Sequence, residues 1–241
     1  MINPICDSLA LPQDYDPSPT RTRYIETNAE LAAELPEDLI VVTTIPSRYF
    51  DKPDDPDGHS EWIVNGCTKA KIVNAKGYPC KVPKPSRPDM FEVRSTPTMG
   101  MGVFATCDIL MGELIFAERP LLVFPTLIPI NGRHYQRNWS REDVLKVAMF
   151  EWEKSLQYAV GRMNETDQKE FLGLANNHKE DGSGQLLGIM RTNGYGIRYL
   201  GDGPDRPPGD EYPDSAMYSA ICRVGSRINH RQVLQEASPG I

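Results

Sequence analysis

FEVRSTPTMGMGVFATCDILMGELIFAERPLLV, residues 91–123, is the stretch on which the fold turns. Phe91–Arg94 alternates apolar and polar side chains, the period-two pattern of a short strand. Met99–Gly102 reads as a Gly-x-Gly turn, where two residues without side chains let backbone groups come close to a ligand. Gly102–Ala105 and Glu113–Glu118 (ELIFAE) then read as strands, separated by a turn over Ile109–Gly112. Strands joined by tight turns around a glycine pair predict a β-rich core.

Downstream the texture becomes helical. Ser140 stands at an N-cap with Asp143 in the capping-box position. Leu145, Ala148, Trp152, Leu156 and Ala159 recur at three- and four-residue spacing, which predicts a helix over 140–160 stopped by Gly161. A second helix is expected over 164–176 and a short third over 185–190. The segment Gly201–Gly209 (GDGPDRPPG) is a loop, and Ala216–His230 (AMYSAICRVGSRINH) reads as a strand with a short helix.

Upstream, residues 1–36 are polar and broken by proline, and a disordered arm is expected there. Leu39–Ile45 (LIVVTTI) is a strand by its β-branched content, and Trp62–Val64 and Lys71–Val73 are candidate short strands. Asp51–Gly58 (DKPDDPDG) is a turn-rich acidic loop without the ligand spacing of a calcium loop. Lys81–Pro88 (KVPKPSRP) is a stiff connector, since each proline fixes its own φ and extends the residue before it. Residues 37–89 are therefore expected to form a small N-terminal extension and a proline-rich linker.

Composition narrows the function classes. With 39% hydrophobic and 24% charged residues, the 241-residue chain can bury an ordinary globular core. Its net charge of −7 disfavours direct nucleic-acid binding, which needs a basic surface to displace counterions. The basic group Lys81, Lys84 and Arg87 reads as a solvated linker. Five cysteines (Cys6, Cys67, Cys80, Cys107 and Cys222) contain no CxxC pair, so no self-contained zinc site is expected. Their odd number, with no signal peptide, points to an intracellular compartment, nucleus or cytoplasm. The longest apolar runs, such as Pro120–Pro125, are far too short to span a bilayer.

Three segments, in the right order, resemble the SET domain of lysine methyltransferases: Phe91–Val123, Met190–Ile197 (MRTNGYGI) and Ser219–His230 (SAICRVGSRINH). The helices between Ser140 and Met190 are similar to the helical insert of SET proteins related to the MYND-containing group, including fungal members, although the MYND zinc ligands are absent. The resemblance implies an α+β fold, a β-rich core of small curved sheets with a helical insert over about 126–190, covering residues 90–230. It also implies S-adenosylmethionine as cofactor, bordered by Gly100, Met101 and Gly102, contacted by Asn193, and lined by Ser226, Ile228, Asn229 and His230. Uncharged amide, hydroxyl and imidazole groups can bond a zwitterionic cofactor without burying an unpaired charge. The implied partner is a protein substrate, histone or non-histone, presenting a lysine; neither nucleic acid nor membrane is implied.

Each short motif has an ordinary reading as well. Gly100-x-Gly102 alone is a common turn, Asn193-Gly194 a turn, and Asn229-His230 a capped turn. The chain also departs from the family pattern. After His230 it reads RQVLQEASPGI, where the family continues Ser-Cys and later supplies a channel tyrosine. The expectation is a SET domain incomplete at its C-terminus, with residues 231–241 an atypical tail, as in a truncated isoform or sequence read past a splice junction. No residue is assigned as catalytic, and the stretch from Met217 onward is expected to be poorly held, with apolar faces of Ala220–Ile228 exposed. Two functions follow: a lysine methyltransferase or fragment of one, impaired or inactive as this chain, or a catalytically dead SET-derived module acting through protein binding with residues 140–176 as its surface.

Overall fold

The computed structural model describes residues 11–16, 23–24, 40–48, 54–98, 100–126, 138–197, 200 and 218–228. Among these the architecture is α+β. The strands are β1 (Arg23–Tyr24), β2 (Ile40–Ile45), β3 (Ser60–Asn65), β4 (Phe91–Thr96), β5 (Gly100–Ala105), β6 (Leu122–Pro125), β7 (Tyr195–Ile197) and β8 (Tyr218–Ile221). The helices are α1 (Gly66–Val73), α2 (Arg141–Arg162), α3 (Glu165–Leu172) and α4 (Gln185–Asn193), and a 3-10 turn spans Gly225–Arg227. Six strands form one sheet in the order β1-β2-β3-β6-β8-β7, and β4-β5 form a separate antiparallel ribbon.

β2 pairs antiparallel with β3 from Ile40↔Asn65 to Ile45↔Ser60. β3 then pairs parallel with β6 through Glu61↔Leu122 and Trp62↔Val123. Both faces of this sheet are covered. Val42, Ile63, Leu122, Phe124 and Ile221 pack with Trp152, Leu156 and Ala159 of α2 on one side. Ile45, Trp62, Val64, Val123, Tyr218 and Ala220 form a second cluster. Burial on both faces explains why β2 reads as a β-branched run rather than an alternation.

β8 lies inside the sheet, antiparallel to β6 (Leu122↔Ile221 to Pro125↔Tyr218) and to β7 (Tyr195↔Ala220 to Ile197↔Tyr218). All four of its residues are buried. The expectation of a poorly held segment from Met217 onward is therefore corrected for residues 218–221: a ladder on each side supplies its backbone partners.

α2 begins as expected. Ser140 Oγ accepts from Asp143 N at 3.1 Å, and Asp143 Oδ2 accepts from Ser140 N at 3.2 Å. Ala148, Trp152, Leu156 and Ala159 face the core, but Leu145 is 55% exposed and does not belong to that face. Gly161 does not stop the helix, which continues to Arg162. The last turn is held by Arg162, whose Nε donates to Glu61 at 3.2 Å and whose Nη2 donates to Thr44 Oγ1 at 3.0 Å. α3 starts on the Asn164 cap and ends at Gly173, short of the expected 176, while α4 runs three residues past 190.

Two further strand expectations fail. Lys71–Val73 is the last turn of α1. Glu113–Glu118 has no ladder partner among the described residues and is held by its side chains, with Glu113 paired to Arg87 at 2.8 Å and Phe116 against Phe91 at a centroid distance of 5.0 Å. Gly100–Gly102 belongs to β5 rather than to the turn, which lies before Gly100. Tyr15 packs edge-on against Phe150 at 5.9 Å and donates to Glu151, so it lies on α2, and Trp139 Nε1, just before the cap of α2, donates to Asp14 at 2.7 Å. Among the described residues, no helix is long and apolar enough to cross a membrane.

Candidate functional site

α4 is aimed by a buried carboxylate. Glu153, on α2, accepts from Leu186 N at 3.0 Å and Leu187 N at 2.8 Å, satisfying two of the orphan donors at the start of α4. Burial raises the Glu153 pKa, against the lowering effect of these two N–H groups. At the other end of α4, Asn193 is buried. Its Nδ2 donates to Ala175 O and to Ile189 O, both at 2.7 Å, which fixes the end of the helix to the loop after α3. Gly194 then allows the close turn into β7, because a Cβ there would lie 3.1 Å from both Met190 O and Phe124 Cζ.

The segment after β8 folds back onto this point. Ser226 Oγ accepts from Cys222 N at 3.0 Å and donates to Asn193 O at 3.1 Å. Tyr195 donates its hydroxyl to Gly225 O at 2.6 Å. β5 lies against the same 3-10 turn. The turn thus adjoins the end of α4, through Ser226 and Asn193, and strand β5, which carries Gly100–Gly102; Ile228 follows the turn directly. Gly102 is buried, whereas Met101 and Ile228 are each 43% exposed. Gly100 takes φ 71°, and a Cβ added there would meet nothing within 4 Å, so its backbone is uncovered. Asn229 and His230 lie outside the described residues.

One residue at this junction was not singled out from the sequence. Glu118 accepts from three successive backbone N–H groups: Arg223 at 3.0 Å, Val224 at 3.0 Å and Gly225 at 2.8 Å. Nothing local in the sequence marks this role, because donors and acceptor are more than a hundred residues apart. The Cys222 thiol is pushed up to about 12, first by burial and then by the Glu118 charge, so it stays a neutral thiol at physiological pH. Burial likewise raises the Tyr195 phenol. At the junction the hydroxyls of Ser226 and Tyr195 are neutral, the Glu118 carboxylate is engaged by N–H donors, and Arg227 of the turn pairs with Glu170 at 3.1 Å.

A cleft of about 290 Å3 adjoins the site, bordered by His59, Lys84, Arg119, Asp167 and Arg223. Its polar groups largely satisfy one another. Arg223 pairs with Asp167, and Arg119 with Asp55 at 3.2 Å. His59 Nδ1 lies 2.8 Å from Pro46 O, and Nε2 lies 3.3 Å from Asp55 N and 3.4 Å from Asp54 Oδ1. Among the described residues, no group of three or more His, Cys, Asp or Glu side chains is placed to hold a metal ion. In comparisons with known proteins, the chain matches no protein-family model, no curated protein and no solved structure.

Proposed function

We propose that this chain is a SET-type, S-adenosylmethionine-dependent protein-lysine methyltransferase, or a fragment of one, and that it carries the cofactor side of the site. The observation that supports the reading is the convergence of β5, the end of α4 and the turn at 225–227, joined by the Ser226–Asn193 bond of 3.1 Å. These segments are far apart in sequence, and their meeting is what a shared ligand pocket requires.

The residues suit the cofactor chemically. The uncovered backbone at Gly100 permits close approach, and the neutral hydroxyls of Ser226 and Tyr195 avoid an unpaired buried charge. Gly100, Met101, Gly102, Ser226 and Ile228 would border the ligand. Asn193, with its amide hydrogens engaged inward, would act by holding α4 and Ser226 in place. When bound, S-adenosylmethionine supplies an electrophilic methyl group on sulfur. The partner would be a protein lysine, histone or non-histone, and no residue is assigned to activate it.

A second reading, a catalytically inactive SET-derived interaction module, is favoured by the loop between β5 and residue 114, where Leu110 and Met111 are 74% and 103% exposed. Titration calorimetry with S-adenosylmethionine, followed by methyl transfer to lysine peptides, separates the two. Saturable binding with transfer supports the enzyme; no heat at millimolar cofactor sinks it.

A further inference from the structure

The turn that presents Ser226 is gripped from two sides. On one side lie Tyr195, donating to Gly225 O at 2.6 Å, and Asn193, whose carbonyl takes the Ser226 hydroxyl. On the other lies the Glu118 carboxylate, with the N–H groups of Arg223, Val224 and Gly225 converging on its two oxygens at 2.8–3.1 Å. Consecutive N–H groups pointing into one concavity form an anion-binding nest, and here the chain's own carboxylate fills it. Charge-assisted bonds of this kind are among the stronger hydrogen bonds in proteins. The grip is not a by-product of a sheet, since Glu118 belongs to a stretch without ladder bonds among the described residues. Packing closes the same point: a Cβ on Gly225 would lie 3.1 Å from Cys222 Cβ and 3.5 Å from Glu118 Oε1.

We infer that Glu118 is a positioning residue for the cofactor side of the site, fixing the 223–228 turn so that Ser226 and Ile228 stand opposite β5. This rests on the reading under Proposed function. Glu118 would not touch the ligand; it would act through the turn. Glu118→Gln keeps the shape but leaves one acceptor oxygen and turns an NH2 group toward the N–H donors.

The test uses the full chain and two readouts. S-adenosylmethionine affinity is measured by calorimetry for wild type, Glu118→Gln and Glu113→Gln. The last removes a carboxylate of the same stretch that pairs outward with Arg87. Backbone amide resonances are followed in 1H–15N spectra. Expected are an affinity loss of at least tenfold in Glu118→Gln, upfield movement of the Arg223, Val224 and Gly225 amides with those of Val42 and Ile63 in place, and wild-type affinity in Glu113→Gln. Wild-type affinity in Glu118→Gln, unmoved amides, or an equal loss in Glu113→Gln overturns the assignment while leaving the functional reading intact. A wild-type chain that binds no cofactor overturns the functional reading and this assignment with it. If Glu118→Gln does not fold, Glu118→Asp replaces it, ending one methylene short of the nest. Weaker binding with moved amides then supports the assignment, and unchanged binding overturns it.

Discussion

Lys69 sits on α1 with 0% of its surface exposed, and its Nζ has no hydrogen-bond partner among the described residues. Burial, followed by the nearby positive charge of Arg162, lowers its pKa from 10.5 to about 8. That difference corresponds to about 3 kcal/mol of penalty on the charged folded state. The direction with pH follows from proton binding. Below about pH 8 the amine is charged in both states, and the full penalty weighs on the fold. Between about 8 and 10.5 the unfolded chain binds the proton and the folded chain has released it, so stability rises with pH. Lys69→Met keeps the length of the side chain and removes the charge. It is expected to raise the unfolding free energy by about 1–3 kcal/mol at pH 7, with the gain vanishing near pH 10.5. Urea denaturation of both proteins at the two pH values, followed by tryptophan fluorescence, gives the difference directly. A variant less stable than wild type at pH 7, or one offset by the same amount at both pH values, refutes the reasoning.

Three further outcomes are expected. Leu156→Ala, at a fully buried position, lowers stability by about 2–5 kcal/mol, whereas Leu145→Ala on the exposed face of the same helix changes it by under about 0.5 kcal/mol in chemical denaturation. Gly184→Ala costs about 1–3 kcal/mol, because the new Cβ would lie 2.2 Å from Glu153 Cδ; Gly161→Ala, with nothing within 4 Å, gains about 0.5–1 kcal/mol from helix propensity, both read as shifts in thermal midpoint. Alkylation at pH 8 followed by peptide mass spectrometry labels the exposed Cys80 and Cys107 quickly and Cys222 far more slowly, since its half-buried thiol is pushed up to about 12.

What was readable in the sequence was local. The capping box at Ser140 and Asp143 lies within one turn, and the spacing of Ala148, Trp152, Leu156 and Ala159 reports one helix face. β2 announced itself through β-branched residues. Misreadings arose where tertiary partners decided. Lys71–Val73 carries strand-like residues but continues a helix that starts directly after β3. Glu113–Glu118 has strand composition, yet Arg87, Phe91 and the 223–225 backbone claim its side chains instead of a ladder claiming its backbone. The α2 terminus moved past Gly161 because Glu61 and Thr44, about a hundred residues earlier, bind Arg162. In the candidate site, Gly100–Gly102, Asn193 and Ser226 were singled out through motif order. Glu118 was not, because a hydrogen bond across such a separation leaves no trace in spacing.

The place of β8 in the sheet also governs how the chain is made. β6 emerges from the ribosome with its far edge open, and the strand that closes that edge follows about a hundred residues later, after the helices. At the usual ~5–20 residues per second of synthesis, that edge waits on the order of ten seconds. During this interval Leu122, Val123 and Phe124 have no antiparallel neighbour, although β3 is available on the other side. An unfinished nascent chain is thus a sticky species at this point. The whole segment between β6 and β8 sets the length of the delay.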